Sequence, residues 1–427
     1  MKISNQLCSV WVLAVACLAL TACGASEETL SSQEEEASDP TEEPNNSDVT
    51  DSDTETAPSG EPIKIGAHLP LSGQLASNGE RVRDGYEFAV KAINEEGGID
   101  GRPLDLIVAD DAGDATTATN VVRELISGES VTAVLGTYGS GAGLAGSAMA
   151  EQMETPNIQP FASSPEMVTR GFEYLVNTYA LASQTQTLFA EMLIDLVEPE
   201  TAAIMYIDNP FAIAGRDAIV AALESTDIEV VLDERVPTGE GDYSSVISQM
   251  VSLDPDVVVT IVYFPDHIAF MEQARQFNLE PELLYTDGSI PWQPPVLEAL
   301  GTNADTTMGA ADWFPGAEIE GSDAILEEYV SATGTEVSVE FVKGYQAVQI
   351  LADALRRAGP DPSNESLRDA LAETEMDTIA GKVAVGPDGQ LEGNYTIVQL
   401  QDMTHQAVWP LDRASADPVP FKAWADR

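Results

Sequence analysis

Cysteine, histidine and lysine are all scarce in this 427-residue chain: it holds three cysteines, three histidines and 19 Lys and Arg against 72 Asp and Glu. Cys8 and Cys17 fall within the uncharged, mostly apolar run from Leu7 to Ala22. That run is short for a membrane span and reads as a secretory signal. Once it is removed only Cys23 remains, which excludes an intrachain disulfide, a catalytic thiol and a cysteine metal site. His68, His267 and His405 are scattered without metal-ligand spacing, and no G-x-S-x-G occurs, so hydrolase and zinc chemistry find no support. Each histidine reads as structural, with His267 at a solvated helix position or, alternatively, touching a ligand. No cofactor and no metal site are expected.

The signal ends in Leu20-Thr21-Ala22-Cys23, which looks like a bacterial lipobox. The expectation is a signal peptide over 1–22 and a lipidated Cys23 as the mature N-terminus; an ordinary signal with an incidental cysteine is the alternative. From Gly24 to Pro62 the chain has hardly any large apolar residue and carries thirteen acids with no Lys or Arg. Such a segment buries too little to offset its ordering entropy, so 23–62 reads as a disordered, self-repelling tether. An acidic interaction tail is the rival reading.

Positive charge stays rare beyond the tether. Residues 63–427 keep 59 acids against 18 basic residues, and their only lysines are Lys64, Lys91, Lys343, Lys382 and Lys422. Self-repulsion of that size strains a compact fold at low salt, whereas molar salt screens it over roughly 3 Å. The composition reads as adaptation to a saline surrounding and disfavours nucleic-acid or anionic-membrane binding.

What is present is an alternation of strand-like and helical stretches. "IKIGAHLPL", "LDLIVADD" and "VTAVLG" precede helices near 78–96, 115–127 and 143–153. A second set runs "TAAIMYID", helix 212–224, "EVVLDERV", helix 243–252, "PDVVVTIVY", helix 265–277 and "ELLYTDG". Short β-branched runs separated by such helices predict parallel sheets covered on both faces. Two blocks predict two doubly wound α/β domains, with a ligand in the cleft beyond the strands' carboxyl ends. Helices are expected near 321–332, 340–358 and 364–373, and "GKVAVGPDGQLEGNYTIVQLQD" reads as a hairpin turning at Pro387-Asp388-Gly389.

One motif tests an enzymatic reading. Gly141, Gly143 and Gly146 form a literal G-x-G-x-x-G, the pattern of an NAD-binding turn. The strand ends near Leu135, five residues before the motif, and "NIQPFASS" lacks the acid a dinucleotide ribose needs. An anion or carboxylate site fits better: Ser140 stands where a strand hands over to a helix N-terminus, and Ser163 and Ser164 hold the same place before Pro165. Each serine by itself could equally be a helix cap.

The segments "IKIGAHLPLSGQLASNGERVRDGYEFAVKAINEEGGIDGRPLDLIVADDAGD", "AVLGTYGSGAGLAGSAMAEQMETPNIQPFASSPEMV" and "FPDHIAFMEQARQFNLEPELLYTDG" resemble the type I periplasmic binding proteins of branched-chain amino-acid ABC transporters, over about 62–405. The resemblance implies two α/β lobes joined by three crossings, with lobe one at 63–181 plus 316–392 and lobe two at 182–315 plus 393–427. It implies that a ligand carboxylate is held by the Ser140 hydroxyl, the backbone of Phe161 and Ser163, which replaces a more usual threonine. The ammonium would meet Ser163 and Asp287, an aspartate where some members have a longer glutamate. Tyr263 matches an aromatic that closes over the ligand, and Phe211-Ala212 replaces a tyrosine-glycine pair. Gly113 and Gly139 match positions that some members join by a disulfide. Tyr138 either faces the ligand or lines the lobe surface.

The implied function is an extracytoplasmic, lipid-anchored, monomeric receptor. It would deliver a small ligand, an apolar or branched-chain amino acid, to an ABC permease. A sensory receptor of the same fold, binding an amide, urea or aromatic acid, is the second reading. An NAD-dependent enzyme is the third.

Overall fold

The computed structural model describes residues 58–427; the signal sequence, Cys23 and nearly all of the expected tether lie outside the described residues. A first sheet takes β1 (Ile63–Leu69), β2 (Leu104–Asp110), β3 (Ala133–Leu135), β4 (Asn157–Gln159) and β5 (Leu175–Asn177), all parallel, in the order β2-β1-β3-β4-β5. Between them run α1 (Ala76–Glu95), α2 (Ala115–Ser127), α3 (Ser140–Gln152) and the single turn α4 (Glu166–Thr169). The strands are short and largely apolar because both faces are covered. α2 packs on α3, and α1 packs on a helix from late in the chain.

The second sheet repeats the plan. After α5 (Ala182–Met192) come β6 (Thr201–Ile207), α6 (Pro210–Leu223), β7 (Glu229–Val236), α7 (Ser244–Leu253), β8 (Val257–Ile261), α8 (Phe264–Phe277), β9 (Leu283–Thr286), α9 (Pro294–Leu300) and β10 (Thr307–Ala311). Their parallel order, β7-β6-β8-β9-β10, matches that of the first sheet. In each sheet the order reverses between the first and third strands, where a doubly wound sheet opens a crevice.

The chain then returns to the first sheet with α10 (Ser322–Thr333), α11 (Val339–Ala358) and α12 (Asn364–Ala372), and α11 is the late helix that covers α1. A small antiparallel sheet of β11 (Glu375–Thr378), β12 (Gly381–Val385) and β13 (Leu391–Glu392) follows. Last, β14 (Thr396–Gln401) and β15 (Thr404–Trp409) add antiparallel strands to the second sheet beside β10. The chain therefore passes between the two halves three times: after β5, after β10, and between β13 and β14.

Two local expectations need correction. The turn at 387–389 does join β12 to β13, with the Gly386 N–H donating to the Gln390 carbonyl at 2.8 Å, but the hairpin ends at Glu392. "TIVQLQ" crosses to the other sheet, because its five consecutive buried residues need a partner on each face. The second correction concerns α3, which begins at Ser140 rather than near Gly143, so all three motif glycines lie inside the helix. A Cβ at Gly146 would sit 2.5 Å from the His68 ring, and one at Gly143 would sit 2.9 Å from the Gln159 amide. Those two glycines let the helix approach the sheet; they do not build a phosphate turn.

Cations are scarce among the described residues, and every lysine there is taken up by an acid. Each lysine from 63 onward has an acidic partner: Lys64–Glu129, Lys91–Glu95, Lys343–Asp312, Lys382–Glu375 and Lys422–Asp305. The excess of acids has no such partners to turn to, so counterions must screen it. Lowering NaCl from about 1 M to about 10 mM, which lengthens screening from roughly 3 to 30 Å, is expected to lower the unfolding temperature. A melting curve indifferent to salt would show that the fold tolerates its charge without counterions.

Candidate functional site

Each parallel strand leads into a loop at its carboxyl end, and one cavity collects residues from six of these loops. Tyr138, Gly139 and Ser140 follow β3, Phe161 and Ser163 follow β4, and Tyr179 follows β5. From the second sheet come Phe211 after β6, Val262 and Tyr263 after β8, and Asp287, Gly288 and Ile290 after β9. The cavity they surround is small, about 40 Å³, below the roughly 300–1,000 Å³ of typical small-ligand sites. Of the residues singled out from the sequence, Tyr138, Ser140, Phe161, Ser163, Phe211, Tyr263 and Asp287 line it, and Ser164 does not.

The first half of the wall offers hydrogen-bond donors. Gly139 precedes α3 at φ +107°, a backbone that suits glycine, and it supplies no side chain to cap the helix. The first-turn N–H groups of α3, which like those of any helix lack an intrahelical partner, are thus left without a side-chain cap, and the helix dipole favours negative charge there. The Gly139 N–H is itself held by the Phe161 carbonyl at 2.9 Å, which ties the β3 and β4 loops together. Ser140 is buried, and its Oγ accepts from the backbone N–H groups of both Ser163 and Ser164 at 3.1 Å. Both acceptor positions of the hydroxyl are thus filled, and its own proton is left to donate. Ser164 bonds locally, accepting from the Glu166 N–H at 3.4 Å.

The opposite wall carries the only charged side chain of the cavity. Asp287 is 7% exposed, and its Oδ1 accepts from Thr185 Oγ1 at 2.7 Å and Gln186 Nε2 at 3.0 Å, both from the N-terminal half of α5. Burial pushes its carboxyl up to about 6, and the Thr185, Gln186 and Gly288 hydrogen bonds hold it from rising further. The group is ionised at neutral pH with no cation beside it in the cavity.

Between these walls run five aromatic rings in sequence. Tyr179 meets Phe161 at 4.7 Å between centroids, Phe161 stacks on Tyr138 at 5.1 Å, Tyr138 meets Tyr263 at 6.3 Å, and Tyr263 meets Phe211 at 5.1 Å. Burial raises the phenols of Tyr138, Tyr179 and Tyr263, so they stay neutral. Tyr263 Oη accepts from Asn209 Nδ2 at 3.2 Å, which fixes the ring that spans toward Gly139. Tyr138 thus stands in the cavity wall.

Tyr179, Val262, Gly288 and Ile290 escaped the sequence reading. Tyr179 follows a strand of only three residues, too short to stand out by periodicity, yet its place just past a strand end was the available signal. His267 is fully buried and not solvated: its Nδ1 lies 3.0 Å from Thr286 Oγ1, and burial lowers its basicity to about 3. His68 is buried against Asp111 at 2.9 Å and does not line the cavity. Among the described residues no group of three or more His, Cys, Asp or Glu could hold a metal, and no helix is long and apolar enough to cross a membrane.

A profile of the periplasmic binding proteins matches residues 62–405. The chain belongs to the periplasmic binding protein family. It is 28% identical over 350 residues to Leu/Ile/Val-binding protein homolog 7 of Brucella suis, covering 77% of this chain and 85% of that relative. To the Leu/Ile/Val-binding protein BraC3 of Rhizobium johnstonii it is 25% identical over 335 residues, covering 77% and 89%. Its fold is shared with the branched-chain amino acid transporter substrate binding protein LivJ of Streptococcus pneumoniae, solved in complex with isoleucine, at a TM-score of 0.74, 21% identity and coverage of 81% and 98%. An R. palustris solute binding protein solved with benzoate aligns at a TM-score of 0.75, 20% identity and coverage of 86% and 99%. The family is one of solute-binding proteins and not of enzymes, which disposes of the dinucleotide reading together with the helical placement of its glycines.

Proposed function

We propose that this periplasmic binding protein captures an apolar amino acid of the branched-chain class and hands it to an ABC permease. The observation that carries the reading is the polarity of the cavity. Donors from Ser140 and the start of α3 stand on one side, a buried unpaired carboxylate at Asp287 on the other, and apolar rings lie between. A zwitterion with an apolar side chain satisfies all three at once, and charge-assisted hydrogen bonds to each end are about twice as strong as neutral ones. Ser140, Ser163 and the Phe161 backbone would take the carboxylate; Asp287 and Ser163 would take the ammonium. The rings of Tyr138, Phe161, Phe211 and Tyr263 would enclose the side chain. Capture would close lobe one (63–181 with 316–392) on lobe two (182–315 with 393–427), with Cys23 as lipid anchor and 23–62 as tether to the membrane.

The five-ring wall favours a second reading, a small aromatic acid, which would place its carboxylate at Ser140 and require Asp287 to be protonated. Titration calorimetry with isoleucine, leucine, valine and benzoate at pH 7.5 in molar salt separates the two. Saturable binding of an aliphatic amino acid supports the proposal. Benzoate binding that strengthens as pH falls, with no aliphatic amino acid bound, overturns it.

A further inference from the structure

The cavity wall is tied to the opposite half of the molecule by buried side chains that touch no cavity space. Gln293 follows the Asp287 loop and belongs to the second sheet's side, and the residue is buried, 2% exposed. Its Oε1 accepts from Asn78 Nδ2 at 3.2 Å, and its Nε2 donates to Tyr138 Oη at 3.5 Å. Asn78 lies on α1 and Tyr138 beyond β3, so both partners belong to the first sheet's side. Asn78 is fully buried, and its second N–H donates to Glu340 Oε1 of α11 at 2.9 Å, which fixes the amide with its other N–H aimed at Gln293. Glu340 is fully buried as well, and its Oε2 has no hydrogen-bond partner.

We propose that Gln293 is a positioning residue that latches the two lobes together and sets how long the cavity stays closed, with Glu340 and Asn78 as its fixed counterpart and Tyr138 as its grip on the cavity wall. No local role accounts for the side chain. Gln293 caps α9 through its backbone carbonyl, which accepts from the Val296 and Leu297 N–H groups at 2.8 and 3.0 Å, and that bond survives any side-chain replacement. The carboxamide makes its two bonds only across to the other half. When the lobes part, water takes over both bonds. The latch then biases an equilibrium that a ligand also biases, and apparent affinity scales with the competent fraction.

The lobe-latching role rests on the proposed cleft only in its kinetic arm, so the two can fail separately. In the full chain without ligand, hydrogen exchange by mass spectrometry is compared for the parent and Gln293→Met. The expected result is exchange at least about fivefold faster around Asn78–Gly79 and around Gly139–Gly143, both across the cleft, with α9 unchanged. Unchanged protection in those two segments overturns the latch. Tyr138→Phe provides the independent variant: it should loosen 139–143 and leave 78–79 protected, and loss at neither place overturns the grip on the wall. With isoleucine as probe, Gln293→Met should raise the dissociation rate about tenfold and change the association rate less than threefold. Parent protein that binds no isoleucine refutes the ligand assignment, while the exchange result still decides the latch.

Discussion

Asp287→Asn is expected to make the empty protein more stable and the amino-acid complex much weaker, two opposite outcomes from one atom change. In the empty cavity the carboxylate is buried with no cation, and its pKa rises from the ordinary 3.8 to about 6. An acid whose folded value lies above its unfolded value holds its proton more tightly when folded. Stability is therefore lost as pH rises from about 4 to about 6, and the full cost is present at neutral pH. Each tenfold change in acidity is worth about 1.4 kcal/mol, so that cost is on the order of 3 kcal/mol. Asparagine keeps the acceptor for Thr185 and Gln186 and removes the charge, so the melting temperature of the empty variant should rise at pH 7.5 and match the parent near pH 4. The ligand ammonium, by contrast, loses its counter-ion. Truncating one partner of a buried charge pair costs roughly 2–5 kcal/mol, so amino-acid affinity should fall at least about thirtyfold. The same titration makes parent affinity about tenfold weaker at pH 5 than at pH 7.5. Calorimetry at the two pH values, with melting curves on the same samples, measures all of this. Amino-acid binding that survives the substitution, or is indifferent to pH, removes Asp287 from the ammonium role.

Ser140→Ala carries the second large effect, and its comparison with Ser163→Ala makes it informative. The Ser140 hydroxyl accepts two backbone N–H bonds that hold the 163–164 loop against the start of α3. Alanine leaves both donors unpartnered in a site where Ser164 is fully buried. An orphaned buried donor costs about 1–3 kcal/mol, so the variant should lose roughly 2–5 kcal/mol of stability and melt a few degrees lower. Its proton, the only part of the group free to reach a carboxylate, goes as well, and affinity should fall by a further ten- to hundredfold. Ser163 lines the same cavity, but none of the side-chain hydrogen bonds among the described residues uses its hydroxyl, and its backbone carbonyl accepts from the Ala182 N–H at 2.7 Å whatever the side chain. Ser163→Ala should therefore weaken binding with little change in melting temperature. If both variants melt like the parent, the loop is held by something other than Ser140.

Much of this is legible in the residues. Strand-then-helix alternation, with β-branched runs such as "VVVTI" buried along their whole length, leaves few arrangements besides sheets covered on both faces. The location of the site follows from that, since the resemblance matches strand ends and parallel strands deliver their loops to one edge. The departures share a cause. "TIVQLQ" departs from the expected hairpin because a hairpin and a crossing look alike until the partner strand is known. His267 is buried rather than solvated because a helix position does not reveal which neighbour covers it.

By itself, then, the sequence determined the class of fold and the shortage of cations, because these depend on composition and local periodicity. It also determined which strand ends carry hydroxyls, rings and an acid. Tertiary structure alone decided that Ser140 accepts two bonds and keeps a proton to give. It decided as well that Asp287 is held by Thr185 and Gln186, some hundred residues earlier in the chain. The same holds for Gln293, which reaches Asn78 and Tyr138 across the cleft. Such pairings follow from where separate elements come to rest against each other, and no local pattern encodes the partner of a side chain that distant in the chain.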